Sequence, residues 1–188
     1  MSLADCAAQA VLQWPRDTAI TMVAISGAES GWINGRPSTV DVVGGPGDRA
    51  EWRQYACDGV YSWGLYQVHM PSHHARLQDV TFSTLPCVWR DHLIDPGFAT
   101  VMAAEILSGQ GLSAWSVYNN GAYRTYIDQA TAAVDEALGV GPPPPVIPPP
   151  IWPPLPAGFL LLPLVDPLAA GRLVSLDVAP VEPPPGYH

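Results

Sequence analysis

The sequence predicts a mainly α-helical domain (α+β in class) with a small irregular or β lobe, followed by a proline-rich extended tail. Three observations carry this. Apolar residues recur at helical spacing through most of the first 140 residues. One glycine-rich stretch, 31–62, breaks that pattern. Proline is also skewed: of 22 in the chain, Pro15, Pro37, Pro46, Pro71, Pro86 and Pro96 are the only ones before residue 142. The expected organisation is therefore a folded domain over 1–140, a proline-rich linker over 141–156 and an apolar, proline-interrupted segment over 157–188.

Taken in order, residues 3–14 place Leu3, Ala7, Ala10, Val11 and Trp14 roughly on one helical face, and Pro15 ends that helix. A second helix is expected over 18–30, with Asp17 as its cap and Ile20, Val23, Ala24 and Gly27 on its apolar side. Gly27 there permits close packing. Glu29 falls at the C-terminal end, where the helix dipole disfavours negative charge. Within the glycine-rich lobe, 38–43 reads as a short strand. Helices resume with a short one over 72–78. Asp95-Pro96 then opens a clear helix running to Gly109 or Gly111, a further helical segment spans 113–118, and 123–138 completes the domain before Gly139. Trp14 and Trp89 read as core.

The polyproline run cannot join a helix or a central strand. The apolar segment beyond it, with Phe159 to Leu162 and then Leu164-Val165, reads as a docking element for another protein.

The net charge of −9, with all eight basic side chains Arg, leaves no basic stripe for a phosphate backbone, so nucleic acid is not an expected partner. No apolar run reaches the ~20 residues of a membrane helix. A phosphate-binding loop needs a Lys that the chain lacks, and no Gly-x-Ser-x-Gly elbow occurs. His69, His73 and His74 lack a paired metal-ligand motif and read as surface or cap residues; no metal or other cofactor is expected. Cys57 and Cys87 are candidates for a disulfide, with buried free thiols the alternative. In the opening segment Asp5 stands where a signal peptide carries positive charge, so delivery by another route is expected.

Three short stretches concentrate chemistry: Ala28-Glu29-Ser30-Gly31-Trp32, Ser62-Trp63-Gly64-Leu65-Tyr66-Gln67-Val68, and Ala114-Trp115-Ser116-Val117-Tyr118-Asn119-Asn120-Gly121. In this order and spacing they resemble the lysozyme-like superfamily, specifically soluble lytic transglycosylases and phage virion-associated lysozymes. In that group a helix ends in Glu-Ser, a Gly-x-x-Gln segment follows, and a Tyr-Asn-x-Gly element closes the cleft. The resemblance covers roughly residues 15–135. The chain departs from it in having Val68 where Ile is frequent, and in the long interval between Glu29 and Gly64 that the lobe fills.

The resemblance implies a lysozyme-like fold that cleaves the β-1,4 bond between N-acetylmuramic acid and N-acetylglucosamine in peptidoglycan. Glu29 is the implied acid, since protonating a glycosidic oxygen near neutral pH needs a carboxyl with a raised pKa. Ser30, Trp63, Gln67, Tyr118 and Asn119 are the implied substrate-binding residues; the competing reading of Gln67 and Asn119 is a turn or cap, and that of Trp63 and Trp115 is core. The single-acid route of a lytic transglycosylase, ending in a 1,6-anhydro sugar, is the expectation. A hydrolysing lysozyme instead needs a second carboxylate, for which Asp41, Asp48, Glu51 and Asp58 are the candidates. The expected setting is a phage particle acting at the host wall, its tail segment docked on a virion protein. An endolysin in the host cytoplasm before release, and a non-catalytic structural virion component, are the alternatives.

Overall fold

The computed structural model describes residues 2–140, and the expected linker and docking tail lie outside them. Helix α1 (Leu3–Gln13) opens with a reciprocal cap: Ser2 accepts from the Asp5 N–H while the Asp5 carboxylate accepts from the Ser2 N–H. Helix α2 (Arg16–Ser30) starts directly after Pro15, two residues earlier than expected. Asp17 is consequently not a cap; it sits in the first turn and pairs with Arg16.

The environment of α2 organises the domain. Ala19, Ile20 and the whole run from Met22 to Gly27 are buried, so the helix is enclosed on nearly every side rather than along one stripe. Helix α1, helix α7 (Ile127–Ala137), the 3₁₀ turn Ala122–Tyr126 and helix α6 (Ser116–Asn119) pack around it. Met22, Val23 and Ile25 are fully buried, each worth about 1.5–3 kcal/mol of transfer free energy. Gly27 makes the enclosure possible: a Cβ there would lie 2.7 Å from the rings of both Trp32 and Tyr126.

Beyond α2 the chain forms the irregular lobe. The expected strand over 38–43 is absent. The Ser38 hydroxyl accepts from the Val40 and Asp41 N–H groups at 3.3 and 3.0 Å, which curls the chain and removes those donors from any ladder. Only single bridges remain, Pro37 to Trp63 and Val42 to Val60. A 3₁₀ turn spans Ala50–Tyr55, and a two-stranded antiparallel hairpin follows, β1 (Ser62–Trp63) and β2 (Val68–His69), with Ser62 opposite His69.

Helix α3 (Met70–Thr81) is longer than expected because Pro71 lies in its first turn, where its missing N–H is harmless. Helix α4 (Pro86–Leu93), which the sequence reading passed over, carries the buried Trp89 and Leu93. Cys57 and Cys87 form a disulfide that ties the lobe to the start of α4. Helix α5 (Pro96–Gln110) begins as expected, with Asp95 accepting from the Phe98 N–H at 2.8 Å, and Gly111 caps its end. The expected 113–118 and 123–138 segments each divide into a 3₁₀ turn followed by a helix. Trp14 is only partly buried and meets Tyr66 edge-on.

Gly64 has φ +84°, and a Cβ there would run into the Leu93 carbonyl oxygen. Gly64→Ala should therefore destabilise the domain by about 3 kcal/mol in denaturant unfolding, through backbone strain added to a clash with main chain.

Candidate active site

The last turn of α2 delivers Glu29 to the floor of an open groove of about 440 Å³. Facing it are Arg36 to Asp41 from the lobe, Tyr66 to His69 from the hairpin, Ser72 and His73 from α3, Ile106 and Gln110 from α5, and Ala114 to Ser116. Glu29 is half-buried and its carboxyl is pushed up to about 7. The groove wall includes the apolar Val68, Ile106 and Trp115, and desolvation by burial is the first cause of the rise. The negative charge of Asp41 adds to it, and the Val117 backbone N–H pulls the other way.

Trp32, although close in sequence, does not line the groove. It turns back along α2, its Nε1 donating to the Val23 carbonyl at 2.9 Å and its ring packing edge-on against Tyr126. Ser30 is also withdrawn from the groove: it is fully buried and its hydroxyl donates to the Ser26 carbonyl at 2.8 Å. Trp63 lies in the core with its Nε1 unpartnered among the described residues, and it does not line the groove.

Gln67 does reach the groove, in a left-handed conformation at φ +48°. Its Nε2 donates to the carbonyls of Arg36 and Gly64 at 2.9 and 3.1 Å. The amide thus clamps the start of the lobe to the hairpin turn and leaves only its oxygen for a ligand. Tyr118 stacks on Tyr123 with 4.9 Å between centroids, and Asn119 donates to the Ser113 carbonyl at 2.9 Å. Neither lines the groove. The third motif reaches it through Ala114, Trp115 and Ser116 instead, with the Trp115 indole fixed by a bond to the Tyr66 carbonyl.

Of the four candidate second carboxylates, the structure brings only Asp41 into the groove with Glu29. The Asp41 side chain accepts from the Ser62 hydroxyl at 2.7 Å, while its main chain bonds Ser38 and Tyr61. Asp48 is instead held down to about 2 by hydrogen bonds from Arg53, Tyr61 and the Gly44 N–H. Asp58 pairs with Arg90, and Glu51 is exposed on the 3₁₀ turn.

Two histidines read from the sequence as surface residues also line the groove. Burial lowers both His69 and His73 below the ordinary imidazole range, with the charge of Asp41 opposing it at His69. Cys57, Asp58 and Cys87 lie close enough together to suggest a metal site, but both sulfurs are engaged in the disulfide. No helix among the described residues is long and apolar enough to cross a membrane.

No protein-family model, curated protein or solved structure matches the chain. The site's chemistry therefore rests on its geometry. A carboxyl protonated for much of its time near neutrality, in an open polar groove, can hand a proton to a leaving oxygen and take it back.

Glu29 is an acid whose folded pKa lies above its unfolded one. Its contribution to stability is greatest below about pH 4.5 and is lost as pH rises towards 7. Glu29→Gln removes that loss. The stability gap between variant and parent, read by thermal or urea unfolding, should open between pH 4.5 and 7 in favour of the variant. It should then stay constant, at no more than about 3 kcal/mol and less where solvent screens the carboxylate.

Proposed function

We propose that this domain cleaves the β-1,4 glycosidic bond between N-acetylmuramic acid and N-acetylglucosamine in bacterial peptidoglycan, with Glu29 as the acid. The observation that carries the reading is the raised carboxyl of Glu29 on the floor of an open groove. The order of the three motifs, and the groove-lining places of Gln67 and Trp115, support it.

In the single-acid route Glu29 protonates the glycosidic oxygen as the bond to the anomeric carbon breaks. The substrate's own acetamido group stabilises the cation. Glu29, now a carboxylate, takes the proton from the sugar's 6-hydroxyl as that oxygen attacks the anomeric carbon, and a 1,6-anhydro end results. Asp41 favours a second route. A carboxylate in the same groove is placed to activate water or to stabilise the cation, and the product then carries a reducing end.

Mass spectrometry of the fragments released from purified peptidoglycan separates the two. Anhydro-ended muropeptides, made by the parent and lost with Glu29→Gln, are the expected result. Reducing ends lost equally with Glu29→Gln and Asp41→Asn would assign the hydrolytic route, and no fragments from several wall types would defeat both.

The rate should fall as pH rises through about 7, where Glu29 loses its proton. If the single-acid route holds, Asp41→Asn should stay active with this alkaline limb moved to lower pH, because Asp41 is one of the two causes that raise Glu29.

We further propose that the enzyme travels in a phage particle, docked on a virion protein through its C-terminal segment, and opens the host wall locally; a free endolysin is the alternative setting. Detection in washed, purified particles would support this, and its presence only as free protein in lysates would count against it. A non-catalytic virion module is the rival from outside the enzymes. The open groove at Glu29, not filled by neighbouring side chains among the described residues, favours the enzyme.

A further inference from the structure

The groove does not end at Asp41. A second stretch of about 640 Å³ adjoins the first, sharing Val40, Asp41, His69 and Ser72 with it, and it is walled by the lobe that lengthens the interval between Glu29 and Gly64. Trp52 is its one indole. That ring is fixed by edge-on contacts with His69 at 4.8 Å and Tyr61 at 6.2 Å. The guanidinium of Arg49 lies over the ring, 4.6 Å from its centroid, which holds a flexible side chain in one plane.

Arg49 has no carboxylate partner among the described residues. Among the seven arginines of the described residues, Arg16, Arg53, Arg76 and Arg90 are paired with carboxylates. Arg36, Arg49 and Arg124 are not, and two of these three line the groove. Asp48, next to Arg49 in sequence, is taken up by Arg53, Tyr61 and the Gly44 N–H. In a chain of net charge −9, acidic partners are plentiful, so a stacked and unpaired guanidinium facing a groove is available for a ligand.

We propose that Arg49 on Trp52 forms a subsite that selects glycan strands carrying carboxylates on the muramyl sugar, over neutral strands of N-acetylglucosamine. This rests on the peptidoglycan reading and names its specificity. The ligand carboxylate is either that of the lactyl ether itself or one borne by a peptide stem attached there. A sparsely charged strand suits the groove because three carboxyls, Glu29, Asp41 and Asp48, share it with Arg36 and Arg49, and Asp48 is already engaged by Arg53 and Tyr61; a dense polyanion would meet those carboxylates as well.

The test is calorimetric binding to the Glu29→Gln protein, full-length and unable to consume its ligand, with and without Arg49→Gln. Three probes are used: the neutral N-acetylglucosamine tetramer, a tetrasaccharide alternating N-acetylglucosamine with N-acetylmuramic acid, and the same tetrasaccharide bearing peptide stems. The expected result is about a tenfold preference for a carboxylate-bearing probe, abolished by Arg49→Gln while the neutral tetramer binds as before. A preference confined to the bare tetrasaccharide identifies the lactyl carboxylate, and one confined to the stem-bearing probe identifies the stem. Equal binding of all three probes, or a preference that survives Arg49→Gln, overturns the proposal and leaves the glycosidase reading standing. Binding of none of them overturns both.

Discussion

The enclosure of α2 is the constraint on which the rest of the domain depends. A fifteen-residue helix wrapped by α1, α6, α7 and the Ala122–Tyr126 turn has little freedom to shift or rotate, so the residue at its emerging end has a fixed position. The close contact of Gly27 with Trp32 and Tyr126 sets how tightly the wrapping can draw in. Glu29 is therefore placed by the hydrophobic core rather than by a loop, and its distance from the solvent is set by packing. Burial raises its pKa, and part of the groove wall, Tyr66, Val68, Ile106 and Trp115, belongs to that core.

Against this rigid helix the lobe needs separate anchoring, since it contains little regular structure of its own. Its ties are short and varied. The disulfide joins it to α4, Gln67 bridges its first residues to the hairpin, and Asp48 gathers Arg53, Tyr61 and the Gly44 N–H. Ser62 and Tyr61 hold Asp41. The result is a carboxylate fixed in the same groove as Glu29, where its charge further discourages ionisation of the buried partner. Two carboxyl groups with unequal environments can divide the roles of acid and anion.

Helices were legible where the sequence carried periodicity and punctuation together. Pro15, Asp95-Pro96, Gly111 and Gly139 mark boundaries because each acts through its own backbone chemistry, which needs no partner elsewhere in the chain. The lobe was not legible in this way. Val40, Val42 and Val43 look like a strand, yet the Ser38 hydroxyl captures the N–H groups a strand would use, and that competition has no periodic signature. Strands of two residues are likewise too short to show alternation. For the site, the sequence located segments better than side chains. Glu29 and Gln67 line the groove, while Ser30, Trp63, Tyr118 and Asn119 point their polar groups into the fold or away from it. Whether a polar atom is spent on a local carbonyl depends on tertiary contact, which is why Arg36, His69 and His73 emerged as groove residues only with the structure, and why Asp41 stood in the sequence as one of four equal candidates.

The charge arrangement around Glu29 bears on why the residue is there at all. A helix C-terminus, burial and Asp41 all oppose its ionised form, and burial disfavours the charged forms of His69 and His73 as well. Arg36 lines the same groove and Arg49 the adjoining stretch, neither ion-pairing to either carboxylate. Gln at this position would fill nearly the same volume and remove the penalty above neutral pH. A domain kept only as a scaffold gains nothing from Glu, and an ion pair with a nearby arginine would have relieved it. A carboxyl without an ion pair in an open groove, with its proton held near pH 7, is the arrangement that the proposed acid role requires.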